Sequence, residues 1–483
     1  MPPVPSVPSH EPPRLPDGFR WGVSTSAYQI EGAADEDGRG PSVWDTFTAR
    51  PGAVRDGRTG RTACDHYHRH TEDVALMRGL GLDAYRFSVS WSRVQPDGSG
   101  PANARGLDFY DRLVDELLAA GIAPVPTLFH WDLPQPLEDA GGWLNRDTAH
   151  RLGAYAALVA DRLGDRVASW ITLNEPFVHM VYGYALGLHA PGRTLMLDAL
   201  PTAHHQLLGH GLAVAALRAA GAGEVMIANN CTPVRPAAGP ADHAAVEAYD
   251  TLHNRLFTDP LLLGRYPDLS AFGLPDPAWG GLVRDGDLRT VAAPLDALGI
   301  NYYNPSWVAP PAEGGGLPFE LAEPPSELPR TGFGWPVVPE GLTDLLLDLR
   351  RRYGAALPPV LITENGCSLP DERPDERPDE RPDERPDGAG VGQETEDRVR
   401  IAYLRDHIDA VAAAVRQGVD VRGYFTWSLL DNFEWAEGYQ QRFGLVRVDF
   451  DTLERTPRAS YAWYRDRIAR HRSTVPAPGE HPA

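Results

Sequence analysis

Ile171-Thr172-Leu173-Asn174-Glu175-Pro176 is an apolar run closed by a carboxamide, a carboxylate and a proline that stops the strand. Much later, Val360-Leu361-Ile362-Thr363-Glu364-Asn365-Gly366 repeats the design, with glycine in place of proline at the turn. Each run buries a hydrophobic segment and delivers one glutamate at its C-terminal end, facing a cleft. Two glutamates delivered in this way can work as a pair.

Working outward, short apolar or aromatic runs of the same kind recur at residues 19–24, 84–88, 123–128, 170–173, 225–228, 298–302, 360–363 and 423–427. Segments with helical spacing lie between them, such as Leu107, Tyr110, Val114 and Leu117, or Ile401, Leu404, Ile408, Val411 and Val415. Eight strand-helix alternations whose strands are apolar on both faces predict an α/β fold: a single (β/α)8 TIM barrel with long loops on the C-terminal face of the strands. Two doubly wound domains are the rival architecture. That fold calls for a G-x-G-x-x-G turn after the first strand, and Trp21-Gly22-Val23-Ser24-Thr25-Ser26 does not supply one.

The barrel is expected over residues 17–472, between a Pro-rich disordered tail (1–16) and a polar, Pro-containing one (473–483). A low-complexity insertion follows the seventh strand at 371–387, where Asp-Glu-Arg-Pro recurs and proline at every fourth position forbids a regular helix. Residues 304–336, rich in proline and glycine, are expected to form a long irregular loop after the sixth strand, on the active face.

Composition narrows the function. Forty-five basic against sixty-six acidic residues give a net charge of -21, which opposes binding to nucleic acid or an anionic membrane and suits a neutral substrate. Cys64, Cys231 and Cys367 are far apart and odd in number, so they form neither a disulfide framework nor a zinc spacing and suit a reducing compartment. Met1-Pro2-Pro3-Val4-Pro5 lacks a basic n-region and an apolar h-region, and no later run is long enough to span a bilayer. A cytoplasmic protein is therefore expected. His66, His68 and His70, and His204, His205 and His210, are grouped but lack a zinc motif, so structural histidines are expected rather than a metal site, and no cofactor is anticipated.

In a parallel barrel the chemistry gathers at the C-terminal ends of the strands. Those ends carry Gln29, Arg86, His130-Trp131, Asn174-Glu175, Asn301-Tyr302-Tyr303, Glu364, and Trp427 followed by Glu434-Trp435; the fifth ends in Asn229-Asn230, which the sequence leaves unassigned. Amides, an imidazole, carboxylates and indoles match a sugar ring, whose hydroxyls need planar hydrogen-bonding partners and whose C–H face needs an apolar platform.

From Leu15 to Ala469 the chain resembles glycoside hydrolase family 1, the β-glucosidase family. The resemblance is carried by Phe19-Arg20-Trp21-Gly22, Gln29-Ile30-Glu31-Gly32, Tyr85-Arg86-Phe87-Ser88, His130-Trp131-Asp132-Leu133-Pro134, Thr172-Leu173-Asn174-Glu175-Pro176, Ile362-Thr363-Glu364-Asn365-Gly366 and the run from Trp427 to Trp435. It implies that Glu175 is the general acid/base and Glu364 the nucleophile, and that Gln29, His130, Trp131, Asn174, Glu434 and Trp435 bind the glycone. It further implies that Trp427 stacks under the ring, that Tyr303 hydrogen-bonds Glu364 with Arg86 and Asn301 in support, and that Trp335 forms an aglycone platform. The implied activity is hydrolysis, with retention, of terminal β-glucosyl residues, and also of β-galactosides and β-fucosides, from small β-glycosides or cello-oligosaccharides, a role in cellulose degradation. The repeat at 371–387 departs from the family pattern.

The chemistry follows from the residues as well. Arg86 beside Glu364 is expected to hold that carboxylate ionised with a lowered pKa, while Glu175, beside a negative neighbour, is raised and carries the proton. A non-catalytic sugar-binding barrel gives no reason for both glutamates to keep such partners. A 6-phospho-β-glycosidase would need cationic groups where the chain has Glu434-Trp435.

Overall fold

Strand β1 (Arg20–Ser24) presents Gly22 to the barrel interior because the ring of Phe425 already fills that space: a Cβ on Gly22 would lie 2.3 Å from it. Around β1 stand β2 (Ala84–Ser88), β3 (Ala123–Phe129), β4 (Ser169–Asn174), β5 (Glu224–Asn230), β6 (Leu298–Asn301), β7 (Val360–Asn365) and β8 (Val421–Trp427). In this computed structural model each pairs in parallel with its sequence neighbours, and β8 closes on β1, with Trp427 opposite Ser24. The structure describes residues 14–239, 242–274, 281–370 and 391–474. The fold class and all eight expected strands are present.

Two apolar layers hold the barrel. Ala84, Val125, Ile171, Met226, Ala228, Leu361 and Phe425 from β2–β5, β7 and β8, with Ala297 just before β6, form one cluster that plugs the interior. A far larger cluster lies between the sheet and helices α1 (His66–Leu80), α2 (Ala104–Ala119), α3 (Asp147–Leu163), α4 (Pro201–Ala219), α5 (Leu256–Leu263), α6 (Pro339–Tyr353), α7 (Val391–Arg416) and α8 (Ala459–Thr474). Helix α2 buries Leu107, Tyr110, Leu113, Val114 and Leu117, a stripe at three- and four-residue spacing that turns one face to the strands. No helix among the described residues is long and apolar enough to cross a membrane.

Three expectations need correction or delimitation. Leu15, placed in the N-terminal tail by its proline-rich surroundings, is buried in the core, and α8 continues to Thr474. Residues 304–336 are not wholly irregular: Ser306–Ala309 pairs with Glu320–Ala322 and with Val234–Pro236 in a three-stranded sheet beside the barrel mouth. These strands are three or four residues long and draw their partners from distant chain, so local alternation does not reveal them. The repeat at 371–387 lies outside the described residues.

Both glutamate-bearing strands slip register at their ends. Ile362 faces Ile300 but Glu364 faces Asn301, and between Ile171 and Asn174 the pairing with β5 shifts likewise. Such bulges re-aim side chains at a barrel rim. Gly366 then turns the chain beneath Trp427, where an added Cβ would lie 1.8 Å from the Trp427 carbonyl oxygen. Gly366→Ala should destabilise the fold by roughly 1–3 kcal/mol, as for other overpacked sites, and lower kcat by displacing Glu364. Gly316→Ala, where nothing lies within 4 Å, should alter neither the urea midpoint nor kcat.

Candidate active site

Glu175 sits one residue past β4 in a left-handed backbone conformation (φ 46°), immediately before Pro176 opens a short helix. Its N–H still bonds the Ala228 carbonyl at 2.8 Å, so the turn remains tied to β5. The side chain is buried, and its Oε1 accepts two amide N–H groups, from Asn301 at 2.8 Å and Asn230 at 3.2 Å. No salt bridge to it occurs among the described residues, and the donors to its Oε1 are both amides.

Glu364 has different company. Arg86 Nη1 donates to its Oε1 at 2.5 Å, and the Tyr303 hydroxyl donates to Oε2 at 2.7 Å. Arg86 has no exposure to water; its Nη2 donates to Asn174 Oδ1 at 2.5 Å and its Nε to Thr127 at 3.3 Å. Asn301 Nδ2 lies 3.0 Å from the same Asn174 oxygen, so β2, β4, β6 and β7 meet in one network around the two glutamates. All the expected supports of Glu364, namely Arg86, Asn301 and Tyr303, are thus brought together.

Burial, and next the neighbouring Glu364, push the Glu175 carboxyl up to about 8. For Glu364 the direction is a correction. Its carboxyl also lies above the ordinary value, because complete burial outweighs the opposing pull of Arg86, Tyr303 and Asn301. The order of ionisation still favours Glu364, since it faces a guanidinium and a phenol while Glu175 faces amides. Glu434 is pushed up to about 8 by burial, then by Glu364, Glu175 and Glu437, so it gives up its proton less readily than an exposed glutamate.

A cavity of about 1340 Å³ opens over these groups, lined among others by His130, Trp131, Glu175, Tyr303, Trp335, Glu364, Trp427, Glu434 and Trp435. Gln29 and Asn174 stand behind that wall. Gln29 Nε2 reaches Asn432, Phe433 and Glu434, and Asn174 Nδ2 bonds His130 Nε2 at 3.0 Å. Burial holds His130 neutral, so with Nε2 accepting from Asn174 its proton is on Nδ1, a buried donor with no partner among the described residues. His130 lies parallel to Trp427, and Trp435 packs on Trp131 and Trp44, giving a continuous aromatic floor. Trp335 stacks on Phe333 with centroids 4.4 Å apart, at the side of Tyr303.

The sequence reading missed Asn230 as a partner of Glu175, and missed His253, which bonds Asn230. Asn230 stood at a strand end, the one available signal; His253 lies mid-helix and offered none. Among the grouped histidines, His66 bonds Asp73, His204 bonds Asp287, His205 bonds the Trp143 carbonyl and His210 bonds Thr172. No group of three or more His, Cys, Asp or Glu placed to share a metal ion occurs among the described residues.

The family model for glycosyl hydrolase family 1 matches residues 11–473. The chain belongs to glycosyl hydrolase family 1. Within that family it is 48% identical over 473 residues to thermostable β-glucosidase B of Thermobispora bispora, covering 95% of this chain and 91% of that one. It is 43% identical to a bifunctional β-D-glucosidase/β-D-fucosidase of Bifidobacterium breve, over 95% of this chain and 98% of the other. Among solved structures, a psychrophilic β-glucosidase from Micrococcus antarcticus superposes with a TM-score of 0.86 at 44% identity, covering 95% of this chain and 98% of that chain.

The carboxyl environments set a pH profile for this family 1 enzyme. Glu175 is protonated below about 8 and loses its proton above, so kcat/KM on phenyl β-glucoside should fall as pH rises through about 8. In Glu175→Ala, assayed with 2,4-dinitrophenyl β-glucoside, whose leaving group needs no proton, that limb should vanish. A limb persisting at the same pH would assign the titration to Glu434 instead.

Proposed function

We propose that in this retaining β-glucosidase Glu364 is the nucleophile and Glu175 the general acid/base. The observation that carries this is the unequal pairing of two buried carboxyls in one cavity: Glu364 on Arg86 and Tyr303, Glu175 on two amides. Glu364 attacks the anomeric carbon as the C1–O bond to the aglycone breaks, and the Glu175 proton passes to the departing oxygen. A glycosyl ester on Glu364 results, and its former charge is gone. That charge is one of the groups holding the Glu175 carboxyl up, so Glu175 then becomes a better base towards water. Water attacks the same carbon, its proton goes to Glu175, and Glu364 leaves with the configuration retained overall.

The glycone end suits a neutral sugar. His130 Nδ1 offers a free donor, Glu434 beside Gln29 can both donate to and accept from hydroxyls, and Trp427 and Trp435 supply apolar faces. Of the arginines lining the cavity, Arg55 is paired with Glu437 at 2.6 Å and Arg50 packs over Phe47, both on the outer wall. This favours unphosphorylated glucosides over 6-phosphates.

The aglycone end favours apolar groups. Leu188, Met196 and Leu321, at 54%, 52% and 65% exposure, join Tyr182 and Leu186 on the outer cavity wall, an arrangement that leaves apolar surface in water until something covers it. Aryl and alkyl β-glucosides fit this wall better than cello-oligosaccharides, which makes cellulose degradation the lesser role. Three buried unpaired cysteines support a reducing, cytoplasmic setting.

Two measurements test the reading. Glu364→Gly should lose nearly all hydrolysis and recover turnover with azide, giving the α-glucosyl azide, while proton NMR of the wild type shows β-glucose first; α-glucose as first product would overturn the mechanism. On a substrate panel, octyl β-glucoside should exceed cellobiose in kcat/KM, and phenyl β-glucoside should exceed its 6-phosphate. The reverse order in either pair removes the corresponding specificity.

A further inference from the structure

Between β5 and α5 the cavity wall carries a chain of side chains that the mechanism above does not use. His253 is buried in the π-helical turn Thr251–Arg255 that leads into α5. Its Nε2 lies 2.9 Å from Asn230 Oδ1 and its Nδ1 3.2 Å from the Tyr249 hydroxyl. Asn230 in turn donates from Nδ2 to Glu175 Oε1 at 3.2 Å. The His253 ring stacks on Phe177, two residues after Glu175, with centroids 3.7 Å apart. Asn254 fixes the same loop from the other side, accepting from Thr232 N at 3.1 Å and donating to its carbonyl at 2.8 Å. One turn therefore grips the loop after β5 and packs on the segment after β4.

We propose that His253 is a positioning residue for proton donation: it fixes the Asn230 amide so that its N–H points at Glu175 Oε1, which leaves the acidic proton on Oε2. The proposal rests on the reading of Glu175 as the acid.

The direction of the relay follows from donor and acceptor chemistry. The Asn230 amide oxygen only accepts, so His253 Nε2 carries the hydrogen. Burial lowers the His253 pKa to about 3, so the ring stays neutral with a single N–H, and Nδ1 must accept from the Tyr249 hydroxyl. Hydrogen bonds thus run from Tyr249 to His253, from His253 to Asn230 and from Asn230 to Glu175. At the end of the chain, Oε1 already accepts from both Asn230 and Asn301. Among the described residues the His253 N–H is what bonds the Asn230 side-chain oxygen, and without it the Asn230 amide can turn over. Its oxygen would then face Oε1 and draw the proton there, onto the oxygen that Asn301 also occupies. Such a turn also stabilises the protonated carboxyl, because an N–H that favours the charged form is lost.

The other titratable groups facing Glu175 are Glu364 on β7, Arg86 on β2, Glu434 after β8, Tyr303 after β6, Tyr182 in the turn after Glu175 and Cys231 after β5. Among the described residues His253 hydrogen-bonds Tyr249 and Asn230, and Tyr249 is the titratable one of the two.

His253→Phe keeps the ring against Phe177 and removes the donor; His253→Gln returns an N–H near the place of Nε2. Both are assayed on octyl, phenyl and 2,4-dinitrophenyl β-glucosides across pH. In His253→Phe, kcat/KM on the octyl and phenyl substrates should fall about tenfold, a part of what general acid catalysis contributes, while the dinitrophenyl substrate keeps its rate within about twofold. The basic limb should move to higher pH, and His253→Gln should restore both limb and rate. Tyr249→Phe, which deletes one oxygen, should show the same pattern in smaller measure and serves if His253→Phe does not fold. Equal losses on all three substrates, or an unmoved limb, would overturn the relay. Glu175→Ala run alongside separates the two levels: a loss there that ignores the leaving group overturns the reading of Glu175 itself, whereas a leaving-group-dependent loss in Glu175→Ala with none in His253→Phe overturns only the relay.

Discussion

A guanidinium sealed from water joins the mouth of the barrel. Arg86, from β2, reaches across to Glu364 on β7 and to Asn174 on β4, and the positions of the reacting groups follow from those bonds. A buried ion pair of this kind adds little net stability over an apolar substitute, yet removing one partner strands a charge at a cost of roughly 3–5 kcal/mol. The pair is thus better understood as a device that fixes geometry and charge order than as a source of fold stability. Stability comes from the two apolar layers, inside the barrel and under its helices.

The same burial that makes Arg86 effective also raises every carboxyl in the cleft. Glu175, Glu364 and Glu434 share a space with one arginine in contact, and three negative charges there would repel one another with little water to screen them. Contact with Arg86 and Tyr303 favours ionisation of Glu364 first, while the Glu175 and Glu434 carboxyls are both pushed up to about 8. The proposed mechanism uses that asymmetry, because esterifying Glu364 would remove a charge that helps hold the Glu175 carboxyl up.

The wall built from β5 and the turn before α5 has a separate task. On the side of Glu364 the fixing groups are charged or phenolic; on the side of Glu175 they are two neutral amides, Asn301 held by the Thr363 hydroxyl and Asn230 by a neutral imidazole. In the proposed acid/base role Glu175 gives up and regains its proton in each cycle, and a fixed cation would hold it ionised. Neutral donors orient it without doing so.

The barrel and the placement of both glutamates at strand ends were legible in the chain because a buried parallel strand is a continuous apolar run, and a polar residue followed by proline or glycine marks its end. Glu175-Pro176, Glu364-Asn365-Gly366 and the aromatic residues at other strand ends needed nothing beyond local pattern. Burial is a property of the assembled molecule, and so the upward shift of Glu364 against the pull of Arg86, and that of Glu434, could not be read from neighbours in sequence. Register slips at Glu364 and Asn174 depend on partner strands. The pairing of Val234–Pro236 with Ser306–Ala309, and of Asn230 with His253, likewise joins residues that no periodicity connects. Local pattern in the chain determined which groups stand at the barrel mouth; tertiary packing decided which of them touch and in which direction their carboxyls shift, because those depend on distances and on the exclusion of water.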